Sequence, residues 1–234
     1  MKQIMITKIC GEDETAVYTV AYTVATILLI LWNSVDATYA PWIYQKMENK
    51  EYQSIGKRAQ QILSVFLVGA IVATLFAPEI MMFLAPASYL EGVYIIPAVS
   101  AGVFFIAVYS LYMRIELYLK KMHTVTIGTV TAAIANLALN ALFIPKFGYY
   151  AAAYTTLFCY ALLSVFHFLN VKRLGYAHIY KNRFVLGISV LMILLIMAVS
   201  LVYRYPIIRY ICIVVIVTVL ILLRKKIVCI LKNK

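Results

Sequence analysis

The chain is 234 residues long, 65% hydrophobic and only 13% charged, with a mean hydropathy of +0.92. Soluble domains carry about a quarter charged residues and roughly half apolar ones, so a water-soluble globule and a disordered chain are both excluded. The net charge of +12 does not make it a nucleic-acid binder, because the basic residues lie between apolar runs, where a membrane protein keeps them.

A helix needs about 20 residues to cross ~30 Å of hydrocarbon. Residues 1–10 are too short for that and end at Gly11 and the acidic triplet Glu12, Asp13 and Glu14; they read as half a helix. Seven apolar runs of spanning length follow, near 16–40, 60–85, 93–119, 124–144, 149–171, 183–203 and 206–230. The stretch 41–59 mixes Trp42 and Tyr44 with charge and reads as an interfacial segment. The expected fold is therefore all-α: a polytopic transmembrane helix bundle of about seven spans plus an N-terminal partial helix.

If the spans alternate, sixteen of the twenty-one Lys and Arg residues fall on one side. These are Lys46, Lys50, Lys57 and Arg58, then Arg114, Lys120 and Lys121, then Lys172, Arg173, Lys181 and Arg183, and a tail of Arg224, Lys225, Lys226, Lys232 and Lys234. Lys2, Lys8, Lys146, Arg204 and Arg209 are left for the other. The positive-inside rule then places the N-terminus outside and the C-terminus in the cytoplasm, and the basic side against anionic lipid.

Cys10, Cys159, Cys212 and Cys229 read as thiols packed like small hydrophobes. His123, His167 and His178 stand alone, no Cys/His spacing suggests a metal, and no dinucleotide, P-loop or nucleophile-elbow motif occurs. Neither a cofactor nor an enzymatic site is expected.

Function must come from polar side chains inside apolar runs, where an ionised residue costs about 2.5–3.5 kcal/mol. They are Asn33 and Asp36 on the first span, Glu79 on the second, Arg114 and Glu116 on the third, and Asn136 and Asn140 on the fourth. Asp36 and Arg114 sit at similar distances from the basic ends of their spans and carry opposite charges. Either they meet one another or a common anionic headgroup, or each snorkels to the interface. Gly128, Ala132, Asn136 and Asn140 are spaced by four and form one helix stripe, which suits either close helix packing or the lining of a translocation path. Ile144, Pro145 and Gly148 then end that helix. Glu79 follows Pro78 in the outer third of its span, as a proton or cation site or as a carboxylate at a helix break near water.

The order of these pieces resembles the C-terminal lobe of the polysaccharide (Wzx-like) flippases of the multidrug/oligosaccharidyl-lipid/polysaccharide exporter superfamily. The matching stretches are Val17 to Tyr22, Asn33 to Pro41-Trp42, Phe76 to Glu79 and Glu116 to Lys121. The most specific runs from Ala135-Asn136 through Leu139-Asn140 to Ile144-Pro145 and Gly148, followed by Ala151 to Thr156.

The resemblance covers about residues 1–172 and implies one lobe of a two-lobe flippase, with 173–234 as an additional two-helix segment and basic cytoplasmic tail. It implies multi-pass insertion in the bacterial cytoplasmic membrane and movement of undecaprenyl-diphosphate-linked glycan between leaflets by alternating access. Asp36, Arg114, Asn136 and Asn140 would line the cavity, with Arg114 as the anion contact. Glu79 or Asp36 would couple an ion. The partners implied are membrane lipid, the lipid-linked oligosaccharide and an N-terminal lobe, on the same or a separate chain, that this sequence does not contain. A non-transporting truncated remnant is one alternative. A membrane polymerase or ligase of the same pathway is another, disfavoured by connections of only a few residues at 86–92, 145–148 and 203–206.

Overall fold

Gly11 divides the first two helices. Its φ of +108° lies in the region where a side chain would clash, so the chain turns there between α1 (Lys2–Cys10) and α2 (Glu12–Glu48). Glu12, Asp13 and Glu14 fill the first turn of α2 and complement its dipole. The computed structural model describes residues 2–216 and 218, and among these no strand occurs. The expected span 206–230 lies largely outside the described residues.

The helix α2 is longer than expected. It runs straight through Pro41 to Glu48, so most of the anticipated interfacial stretch is helix. Proline removes one backbone donor and crowds the preceding turn, but Tyr39, Ile43 and Met47 are buried on either side of it and hold the helix by packing. A three-residue turn, Asn49 to Glu51, then leads into α3 (Tyr52–Leu75). The expected single span 60–85 is broken after Leu75, and α4 (Ala77–Leu84) starts again with Pro78 in its first turn. Proline suits a helix start, where its missing N–H leaves no bond unmade.

A 3-10 segment (Ala87–Ile95) leads to α5 (Ile96–Tyr118), which is buried along nearly its whole length. A helix apolar on every side belongs in a core. Around it stand α6 (Met122–Phe147), α7 (Tyr149–Arg173) and α8 (Asn182–Val202), with a short α9 (Pro206–Ile216) beyond. Pro145 lies inside the last turn of α6, which stops at Gly148. Among the described residues six segments are long and apolar enough to cross a membrane, the 3-10 segment and α5 counting as one. The chain is a multi-pass helical membrane protein.

Two hydrophobic clusters stack along the bundle. One joins Trp32, Ile43, Leu63, Phe104, Leu111 and Met192, so α8 packs into the same core as α2, α3 and α5. The other joins Ile6, Tyr18, Met81, Ile96 and Ala152 near the Gly11 end. The basic connections gather at the opposite end: Tyr39 meets Tyr180, Tyr44 stacks on Tyr118, and the Ile179 carbonyl lies against Gly56. Lys2 departs from the alternation count. Because α1 runs up to Gly11, Lys2 lies ~13 Å back along the helix at 1.5 Å per residue, where it reaches Thr156 and the Tyr22 ring rather than the bundle end.

Candidate functional site

The half-buried carboxylate of Asp36 on α2 meets the guanidinium of Arg114 on α5 in a two-pronged pair, Nε to Oδ1 at 3.1 Å and a terminal nitrogen on Oδ2. A planar fork on a carboxylate is the strongest polar contact two side chains make. The sequence pattern ends the first span near residue 40, whereas α2 continues to Glu48. The two residues nevertheless come level, because α2 overshoots the end of α5.

Asp36 borders a polar face. Thr15, Thr19, Thr23, Thr26, Asn33 and Ser34 fall within about a third of the α2 circumference at 100° per residue. They are exposed or half-exposed, although Ile30 interrupts them. Each of these hydroxyls donates to a carbonyl one turn back, as Thr19 does to Thr15 at 2.7 Å and Ser34 to Ile30 at 3.0 Å. That leaves the oxygens free to accept. Gln3 and Thr7 of α1 extend the face, bonding Thr19 at 3.2 Å and Thr15 at 3.0 Å.

Asn136 and Asn140 point at α7 instead. Asn140 is buried, donates to Asn136 Oδ1 at 3.1 Å and accepts from the Thr155 hydroxyl at 2.5 Å; Asn136 reaches Thr156 at 3.4 Å. Thr156 also receives Lys2, so a polar chain stitches α1, α6 and α7 together. Gly128 on the same stripe faces α7 closely: a Cβ there would lie 2.5 Å from the Phe166 ring. The stripe is thus an interhelical seam, and Asn140 is closed to any ligand.

Glu79 on α4 is also paired. Arg209 of α9, almost fully buried, reaches its Oε1, and the Tyr210 hydroxyl donates to the same oxygen at 2.8 Å. The Tyr203 hydroxyl bonds the Thr74 carbonyl nearby, so the break between α3 and α4 is clasped by the last described helix.

Like Glu79–Arg209, a second pair is not foreseen from the sequence. Glu116 of α5 and His167 of α7 are both fully buried and meet at 3.0 Å. The available signal was spacing: Arg114 and Glu116, two residues apart, point to opposite sides of their helix and cannot satisfy each other. Each had to find a partner elsewhere, and which one it found is a tertiary fact. Outside the spans, Lys46 holds Glu51 at 2.7 Å and lowers its pKa by that hydrogen bond. Among the described residues no group of three or more His, Cys, Asp or Glu side chains could hold a metal ion.

No family model matches the chain, and neither does any curated protein or solved structure.

Proposed function

We propose that this chain is one lobe of a flippase that carries an undecaprenyl-diphosphate-linked oligosaccharide across the bacterial cytoplasmic membrane for cell-surface polysaccharide synthesis. The Gly11 end of the bundle faces outside and the basic end is cytoplasmic. The observation that carries the reading is the exposed threonine and asparagine face of α2, which leads to the Asp36–Arg114 pair. Hydroxyls and an arginine at membrane depth belong against water or a polar ligand rather than lipid. The face is half of a cavity that a second lobe completes. The glycan and diphosphate travel through it while the polyprenyl chain stays in the bilayer.

Arg114 plays two roles in this mechanism. Without substrate it holds Asp36; with substrate its fork turns to the diphosphate, for which guanidinium geometry is suited. Glu79 and Arg209 form the corresponding pair toward the other end, so each end has an arginine–carboxylate contact that opens and closes as access alternates. The order and spacing of the motifs, from Asn33 to Thr156, support the same assignment.

The test is reconstitution in vesicles with a fluorescent undecaprenyl-diphosphate glycan and a membrane-impermeant quencher. The chain, joined to its in-frame upstream segment where one is translated, should move probe between leaflets, and Arg114→Ala should slow it at least tenfold. Probe movement no faster than in protein-free vesicles sinks the proposal.

A further inference from the structure

Three carboxylates in the spans have ionic partners among the described residues, and the partners differ in kind. Asp36 and Glu79 are held by arginines. Arginine does not release its proton, so protonating either carboxylate strands a guanidinium with nothing to balance it. Glu116 is held by a histidine, whose ring can take up and release a proton.

The surroundings of this pair are closed. Both side chains have no exposed surface. Tyr109 stacks on the imidazole with ring centres 5.8 Å apart, and Phe166 stands edge-on to it at 5.4 Å. With Nδ1 and Oε2 joined, His167 Nε2 and Glu116 Oε1 have no hydrogen-bond partner among the described residues; neither does Nδ2 of Asn170, three residues further along α7. Buried polar atoms are satisfied in the great majority of cases, so two orphans on one titratable pair ask for a cause. With a single proton shared between Nδ1 and Oε2 the pair carries one negative charge. A second proton, handed over by hydronium as one of its O–H bonds breaks and water is left behind, forms an N–H bond at Nε2 or an O–H bond at Oε1 and makes the pair neutral.

We propose that Glu116 and His167 together form a buried proton-binding site that exchanges one proton with the basic end of the bundle. The route is short. Glu116 is two residues from the end of α5 and His167 six from the end of α7, ~3 Å and ~9 Å along the helix axes. The two states differ by a full charge where no solvent reaches, so proton binding and the packing of α5 on α7 are coupled.

The helices packed against the site carry further charged and titratable groups toward the basic end, among them Tyr160 of α7, which stacks on Tyr109 with ring centres 6.2 Å apart. Tyr109 lies on α5 itself. Lys121, on the connection to α6, donates its backbone N–H to the Glu116 carbonyl. His123 opens α6, Lys172 lies in the last turn of α7, and Arg183 lies in the first turn of α8. From α2 comes Asp36, already held by Arg114. In the flippase proposed above, this proton is the coupling ion. That clause rests on the transport reading; the existence of the site does not.

Nitrogen NMR of the full chain in lipid nanodiscs, labelled at the histidine rings, tests it without any transport. The His167 signals are identified by their loss in H167Q, and exposed His123 and His178 serve as internal references. Across the pH range in which the chain stays folded, His167 should pass through one protonation transition. In E116Q that transition should move by at least about one pH unit, a tenfold change in proton affinity. The conservative E116D, which keeps the carboxylate if E116Q fails to fold, should retain the transition. A His167 locked in one state across the window overturns the proposal, as does a transition at the same pH in E116Q.

Discussion

The exposed faces of α2 and α8 are both long and both uncovered by the other described residues, yet their chemistry is opposite. On α8, Leu186, Val190, Leu194, Met197 and Leu201 follow one another at helical spacing, all exposed, with nothing polar among them. That is a surface for lipid. On α2 the corresponding stripe is threonine, asparagine and serine and borders an arginine-bound aspartate. The same backbone geometry presents two solvents to the protein, and the side chains record which solvent each helix meets.

The largest expected effect comes from the ion pair at the end of the polar face. Arg114→Ala leaves Asp36 mostly buried and unbalanced, a loss of about 3 kcal/mol by analogy with other broken buried pairs. The charge swap D36R/R114D should recover more than half of it, measured by thermal unfolding in micelles. No recovery would mean that the pair is incidental to stability.

The two faces can be compared directly with one substitution type. Leu194→Asp should cost about 2.5–3.5 kcal/mol, the price of a charge facing lipid. Asn33→Asp on α2 should cost well under 1 kcal/mol if that face meets water. Equal costs would erase the distinction. Cysteine labelling sharpens it: a water-soluble maleimide should react at least about tenfold faster with Thr23→Cys than with Leu194→Cys, because the thiolate needs water to form.

Smaller effects concern the frame around the faces. Gly128→Leu forces a side chain onto the Phe166 ring and should cost about 1–3 kcal/mol as the ring and α7 shift. An unfolding midpoint unchanged from wild type would show that the seam between α6 and α7 has slack. The least effect is at the turn between α2 and α3. Lys46 lowers the Glu51 pKa in the folded state, so this pair stabilises above the ordinary carboxylate range near pH 4. The contribution falls away as pH drops through the lowered value. E51Q should flatten that slight acid dependence, and a slope identical to wild type would discount the pair.

Much of the bundle was legible from the chain. Apolar runs must be helical because hydrocarbon offers no partner for a bare amide, and the first six spans appear where the runs are. The basic connections gather at one end, as alternation required. Boundaries were harder. Pro41 reads as a stop but is overridden by buried Tyr39, Ile43 and Met47, whereas the pause at Phe76 and Pro78 does divide a helix. Packing around each proline decides between those outcomes, and packing is not local.

For the site, sequence alone determined which side chains are out of place in lipid: Asp36, Glu79, Arg114, Glu116, Asn136 and Asn140. It gave Asp36 and Arg114 similar distances from their span ends but left open whether they meet, and it ended the first span near residue 40 where α2 runs on to Glu48. Only the tertiary structure decided who pairs with whom. It gave Glu79 to Arg209, Glu116 to His167 and Asn140 to Thr155, and it carried Lys2 away from the bundle end to Thr156. The physical reason is that insertion cost belongs to each residue by itself, while its relief depends on which helix face arrives opposite. That is set by the fit of apolar neighbours such as Gly128 against Phe166, many residues away in the chain.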